Sequence, residues 1–482
     1  MVIDVLASDR PRGTVTKLAQ NHAISRQSVY DITAAGREVL LRGLQPGPHG
    51  PHLAEPTIWV DRNRLIRGSV VLTEAGVSQR DVSVCLAELL DTQPSLGWVN
   101  GALKQVEAAA AVVNEQWQPA IGETLSGDEI YSHGCPNLLL VGNESLYIYT
   151  LSRQPGCDGD TWGCILLEGP DCPQFASDAG TGLSAGTKAA EVKIHQADWD
   201  HLLRPLWGQV TRLEKQAYAA LQTVQDRERL FNQATTPKRL AQHLAVWERL
   251  SAEAEAKMAR FDAFYQIARQ VDAQFGLIDL TSGQVRDPSV GTDCLRQAGQ
   301  QLQTWSGRIY QKLSSYLINL AEALFAYQPL LRQTLTPLFD QWGAPALEAL
   351  SRLWQLEAEP KRHPLSLLEQ QAYLRQWNVS LDQALEALGP DPLWIAWEAL
   401  RTILGRSWRG SMLAECVNSL LRPILAGRKH TDQGCLDLFR FLHNVRPFAR
   451  GKRAGHSPAQ LVGLDLPDDP LILLGLKPKV SI

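Results

Sequence analysis

The sequence predicts a multidomain protein: helix-turn-helix units that are all-α, an α/β core behind them, and a large all-α insertion that interrupts the core. Three observations predict it. Helical periodicity with turn and cap signals fills residues 1–119. Between 120 and 200 the pattern changes to short extended runs with two helical stretches among them. From Asp198 to about Trp397 apolar positions recur at helical spacing with little strand potential.

Taken in order, Val15, Leu18 and Ala19 make the first apolar stripe, and Ile24-Ser25 supplies a turn with an N-cap. Arg26-Gln-Ser-Val-Tyr30 then starts a second helix. Arg26, Gln27, Ser28 and Tyr30 stand where a recognition helix presents side chains to bases or phosphates. The Pro/Gly/His run from Gln45 reads as a linker over 45–56. A second helical unit over 57–119 begins with the capping-box-like Ser78-Gln-Arg-Asp81, and Ser95 precedes a further helix. It is expected either as a second DNA-binding unit or as a helical packing layer.

Three strands follow, at Thr124–Tyr131, Leu138–Gly142 and Ser145–Leu151, then a helix at Asp160–Leu167. A strand leads into Phe175-Ala-Ser-Asp178, Gly180–Gly186 opens another helix, and Glu191–Gln196 is the fifth strand. Strand-strand-strand-helix-strand-helix-strand is the order of a ribonuclease H-like core. Its first part is expected at 120–200, the insertion at 201–400 and the second part at 401–482. The tryptophans of the insertion, among them Trp305, Trp342, Trp354, Trp377, Trp394 and Trp397, are expected in its core.

A chain of 482 residues, 44% hydrophobic, has the size for about two to four ordinary globular domains. No charged n-region precedes an apolar core at the N-terminus, so no signal peptide is expected, and no apolar run is long enough to span a membrane. The eight cysteines form no C-x-x-C pair, which suits reduced thiols in the cytoplasm. Cys157, Cys164 and Cys172 are too loosely spaced for a good zinc set.

The net charge of −4 conceals an asymmetry. Residues 401–453 carry eleven Lys/Arg against Glu415, Asp432 and Asp437, while 351–400 are acidic on balance. A basic segment beside an acidic one offers chosen surfaces to a polyanion. Within it Glu415, Asn418, Ser419 and Arg422 fall at i, i+3, i+4 and i+7, one polar helical stripe. An acid grouped with amide, hydroxyl and guanidinium suits a metal and a phosphodiester. Two further acids, Asp128 in the first strand and Asp178 at the end of the fourth, complete a candidate triad, with Glu129 the direct rival to Asp128 and Asp160, Glu168 and Asp171 weaker ones.

Ser177-Asp178-Ala-Gly180, Gln196-Ala-Asp-Trp-Asp-His201-Leu-Leu-Arg204, Glu415-x-x-Asn418-Ser419-x-x-Arg422 and the tail Gly451-Lys452-Arg453 with Ser457-Pro458 together resemble bacterial insertion-sequence transposases of the Asp-Asp-Glu type. Ala179 stands where those proteins commonly have Gly. The resemblance implies Asp128, Asp178 and Glu415 as catalytic residues and as ligands of two Mg²⁺ ions, with Mn²⁺ as a substitute. It implies DNA contacts from Asn418, Arg422, Lys452 and Arg453, and a phosphate contact from His201. Double-stranded DNA, as element ends and target, is the expected partner, with a homodimer or larger assembly on it and a nucleoid-associated cytoplasmic location. Alternatives are a non-catalytic DNA-binding protein (a domesticated transposase or a repressor), a nuclease without strand transfer, and an adaptor. A nucleotide-hydrolysing phosphate loop is excluded, because Gly180-Thr-Gly182 lacks the Gly-Lys-Ser/Thr frame.

Overall fold

The structure, a computed structural model, describes residues 13–43, 60–117, 122–178, 180–362, 366–427 and 431–478, with Val5, Pro11 and Pro119. The expected linker at 45–56, Ala179, and Arg428 and Lys429 of the basic segment lie outside the described residues. The chain divides into two compact units, Met1–Asp61 and Arg62–Ile482.

The first unit holds α1 (Thr14–Asn21) and α2 (Arg26–Gly43). Ser25 accepts from the Ser28 amide at 2.9 Å, so the expected N-cap is made. Ala19 and Val29 are buried against Val5, with Val15, Leu18 and Ile24 around them.

The second unit opens with α3 (Arg62–Glu74), α4 (Gln79–Leu90) and α5 (Leu96–Gln116). Ser78 accepts from the Asp81 amide and Ser95 from that of Trp98, which fixes where α4 and α5 begin. These helices pack as a layer: Val70, Leu86, Leu103 and Val106 share one core with Leu438, Phe441 and Leu442. Arg67 clamps both Asp469 oxygens, at 3.1 and 2.7 Å, and so ties α3 to the C-terminal segment.

One five-stranded mixed sheet follows, ordered β3-β2-β1-β4-β5. Its strands are β1 (Leu125–Ser132), β2 (Cys135–Gly142), β3 (Ile148–Arg153), β4 (Phe175–Ser177) and β5 (His195–Ala197). β1 and β2 pair antiparallel, as do β2 and β3; β1 with β4 and β4 with β5 run parallel. The parallel strands need crossovers, and α6 (Gly159–Glu168) and α7 (Thr181–Ala189) lie in those connections. Trp162, Ile165 and Leu183 from these helices cover one face of the sheet. The other face is covered by α16 (Met412–Gly427) and α17 (Gln433–Val445), through Val417, Leu421 and Leu436 against Leu139, Val141 and Ile148. The fifth strand starts later than its sequence pattern suggests, because α7 runs to Ala189 and Glu191 turns the chain at φ 51°.

Between β5 and α16 stands the helical block: α8 (Asp200–Asn232), α9 (Pro237–Ala273), α10 (Pro288–Gln303), α11 (Arg308–Asn319), α12 (Gln328–Trp342), α13 (Ala344–Arg362), α14 (Leu367–Leu388) and α15 (Pro390–Leu404). It has its own large core. Trp397 is buried in it and Trp305, Trp342, Trp354 and Trp377 pack against it, whereas Trp394 is 63% exposed, contrary to expectation. Periodicity counts an apolar residue toward a face without knowing whether a neighbour covers that face. Gln196 ties block to sheet, donating to the Leu324 carbonyl at 3.0 Å and accepting from the Tyr327 amide at 3.0 Å. Among the described residues no helix is long and apolar enough to cross a membrane.

Candidate active site

Asp128 projects from the middle of β1, and the Gly127–Ser177 pairing sets Asp178 beside it at the end of the adjacent parallel strand. Glu415 comes from the first turn of α16, the helix laid across β1. The three acids thus converge from two strands and a helix. Burial is the main reason the Asp128 carboxyl is pushed up to about 6; the negative charges of Asp178 and Glu415 add to it, while hydrogen bonds from Asn418 and the Glu129 amide oppose it.

Asn418, one turn beyond Glu415, donates to Asp128 Oδ2 at 2.8 Å and is only 1% exposed. Its amide serves the acid and is shut off from an external strand, unlike the expected DNA contact. Asp178 is held by the Gly180 amide, which donates to Oδ1 at 3.0 Å. Glu129 sits next to Asp128, and alternation along the strand sends its side chain toward the α6/α7 face. Burial first, then the charges of Asp178 and Asp128, push its carboxyl up to about 7, and its Oε2 is buried with no hydrogen-bond partner. Asp160, Glu168 and Asp171 are exposed, Asp171 facing Lys193 at 3.6 Å.

Behind the triad lies a strut that the sequence showed only as a motif. Asp198, 1% exposed, accepts from the Ser411 amide at 2.9 Å, the Ser411 hydroxyl at 2.7 Å and the Asp200 amide at 2.7 Å. It joins the end of β5, the start of α8 and the residue preceding α16. Burial opposes its charge, but His201 and Ser411 outweigh that and hold its carboxyl below the ordinary range. His201 Nδ1 lies 3.3 Å from Asp198 Oδ2. This partner first, then the fields of Asp178 and Glu415, raise the imidazole's affinity for a proton against the effect of burial. Arg204, one turn further along α8, pairs with Asp200 and stands 3.6 Å from Glu415 Oε2. Arg204 closed the Gln196–Arg204 motif in the sequence without a role of its own, and Ser411 carried no signal at all.

The remaining expected DNA contacts separate by exposure. Arg422 and Lys452 are exposed. Arg453 is turned inward, donating to the carbonyls of Glu144 and Asn143 at 2.6 and 2.7 Å, so it anchors the β2–β3 turn. In the N-terminal unit Arg26, Gln27 and Tyr30 are exposed, Arg26 donating to Thr16 at 2.5 Å, while the Ser28 hydroxyl meets that of Ser25 at 2.8 Å.

The donors at the centre are carboxylate oxygens, the set a hard divalent cation takes. Among the described residues, no group of three or more His, Cys, Asp or Glu is gathered closely enough to hold a metal ion as it stands. The charges of Asp178 and Glu415 add to the proton affinity of Asp128, and a divalent cation bound among these oxygens would relieve that repulsion. No family model matches the chain, and no curated protein matches it.

Proposed function

We propose that the chain is a DNA transposase with a ribonuclease H-like core, acting through an Asp128-Asp178-Glu415 triad on the ends of its mobile element and on target DNA. The observation that carries this reading is the 2.8 Å Asn418–Asp128 bond, which lays the helix of Glu415 over β1, beside the β4 end that carries Asp178, from opposite sides of a helical block about two hundred residues long. The order of strands and crossover helices supports the same reading, and so does the basic segment that includes α16 and α17.

Asp128, Asp178 and Glu415 would hold two Mg²⁺ ions, whose chemistry when bound is to activate an attacking oxygen and stabilise a leaving one in phosphodiester exchange. Asp178 and Glu415 are partly exposed, held by the Gly180 amide and by Arg204, and would exchange those partners to close toward Asp128. Asn418 would keep Asp128 aimed at the face it shares with Glu415. His201, oriented by Asp198, would offer a proton-bearing nitrogen to a phosphate oxygen. Arg422 and Lys452 would hold backbone phosphates, which position a strand without reading its sequence. Recognition of the ends would fall to Arg26, Gln27 and Tyr30. Pairing of two ends implies a dimer or larger assembly on DNA, in the cytoplasm at the nucleoid.

The test is Mg²⁺-dependent cleavage of DNA carrying the flanking ends of the encoding gene, with wild type compared with Asp178→Ala and Glu415→Ala and binding followed alongside. Cleavage lost in both variants while binding persists supports the proposal. Binding with no cleavage by wild type, in Mg²⁺ or Mn²⁺, points instead to a DNA-binding regulator.

A further inference from the structure

We propose that Arg204 is a phosphate-contacting residue of this centre, parked on Glu415 until a divalent cation takes that carboxylate; the inference rests on the transposase reading. Arg204 and Glu415 come from α8 and α16, two helices whose starts are fixed to each other by the buried Asp198–Ser411 bonds. The 3.6 Å approach is therefore set by the scaffold and not only by the reach of a long side chain.

The pair is poised to exchange. The Arg204 side chain is 64% exposed and that of Glu415 32%, so the ion pair is screened by water and cheaply broken. Asp200, one turn back on the same helix, keeps the guanidinium beside the triad after Glu415 lets go. Both contacts use the same terminal nitrogen, which leaves the other N–H donors without a protein partner among the described residues. Free donors in a planar fork match phosphate oxygens in pairs. A carboxylate tied to a guanidinium is a poorer cation ligand, and a divalent charge outcompetes a single one for it. Departure of Glu415 would leave the Arg204 guanidinium paired with Asp200 alone, its free N–H donors turned to a phosphate oxygen beside the acids.

Wild type, Arg204→Ala and Arg204→Lys are compared with Arg229→Ala, a control that breaks an exposed pair with Asp226 farther along α8. Calorimetry reads Mn²⁺ binding to the DNA-free protein, and a gel assay reads cleavage of end DNA at saturating Mg²⁺. Thermal unfolding checks that all four chains fold alike. The expected result is tighter Mn²⁺ binding by Arg204→Ala, because a competitor for Glu415 has gone, with cleavage roughly 100-fold slower because a transition-state donor has gone. Arg204→Lys regains part of the rate, and Arg229→Ala resembles wild type in both. Unchanged Mn²⁺ affinity overturns the parked pair, and unchanged cleavage overturns the phosphate contact. A wild type that binds end DNA without cutting it overturns the transposase reading and this proposal together; an active wild type alongside an equally active Arg204→Ala overturns this proposal alone.

Discussion

The side-chain amide of Asn418 donates to Asp128 Oδ2 across 2.8 Å, joining the second turn of α16 to the middle of β1. The bond places the helix that carries Glu415 over the strand that carries the first acid, and it turns a residue with a nucleic-acid appearance inward. Asn418→Ala removes the donor, so Asp128 takes up a proton more readily and loses its fixed rotamer. Cleavage should fall about 10–100-fold, the usual effect of losing the partner that orients a ligand. Circular dichroism should be unchanged, and a variant cleaving at the wild-type rate would contradict the assignment.

Asp128 and Glu129 make activity and stability respond to pH in opposite directions. Their carboxyls are pushed up in the fold, to about 6 and about 7, by burial first and by neighbouring acids second. The folded state therefore holds protons that the unfolded chain has already released, and stability is lost as pH rises from about 4 through 7. The loss attached to Asp128 is on the order of 2–3 kcal/mol. Melting temperature should climb on acidification from pH 8 to pH 5, while cleavage declines as Asp128 becomes protonated near pH 6. Asp128→Asn should flatten the lower part of the melting profile; a full profile in that variant would refute the attribution.

Asp198 is a buried charge satisfied by the Ser411 amide and hydroxyl and the Asp200 amide, with His201 Nδ1 3.3 Å away. Asp198→Ala leaves those donors facing an apolar gap and should cost about 3–5 kcal/mol in urea unfolding. Asp178→Ala, at a partly exposed position held by a single amide, should cost less than about 1 kcal/mol. The contrast separates the acid that supports the site from the acid proposed to act in it.

Gly182 lets α7 approach the loop before α6. A Cβ there would lie 1.9 Å from the Cys157 carbonyl oxygen, and one at Gly186 would lie 2.4 Å from the Trp162 Cβ. Gly182→Ala should destabilise by about 1–3 kcal/mol or more, since backbone and not a flexible side chain must give way. The same shift would displace the turn that carries Asp178, so cleavage should fall further than stability does. Equal melting curves for variant and wild type would refute the close approach.

Arg67 holds the layer of α3–α5 to the C-terminal segment through both oxygens of Asp469. Arg67→Ala removes the two bonds to that carboxylate and those to the Lys477 carbonyl and should cost about 1–3 kcal/mol. Limited proteolysis should then cut first between residues 466 and 477; an unaltered cleavage pattern would count against the clamp.

The sequence by itself determined the elements and their order. Period-two runs, helical stripes, the caps at Ser25, Ser78 and Ser95 and the glycines of 180–186 are local features, and local sterics and hydrogen bonding suffice to make them. It also singled out Asp178 and Glu415 by the residues around them, and Asp128 only as a first-strand acid beside its rival Glu129. Tertiary structure decided what each side chain faces. Asn418 and Arg453 share the composition of a DNA-contacting stripe, yet packing turned one onto Asp128 and the other onto the Asn143 and Glu144 carbonyls. Residues 62–116 gave the same helical pattern whether they formed a separate unit or a layer, and only their shared core with α17 distinguishes the two. Arg204, Ser411 and Asp198 meet from β5, α8 and the lead-in to α16, a proximity that exists only after the sheet has paired and the helical block has docked. Periodicity encodes which face is apolar; which partner lies opposite that face is encoded in long-range packing that no local window contains.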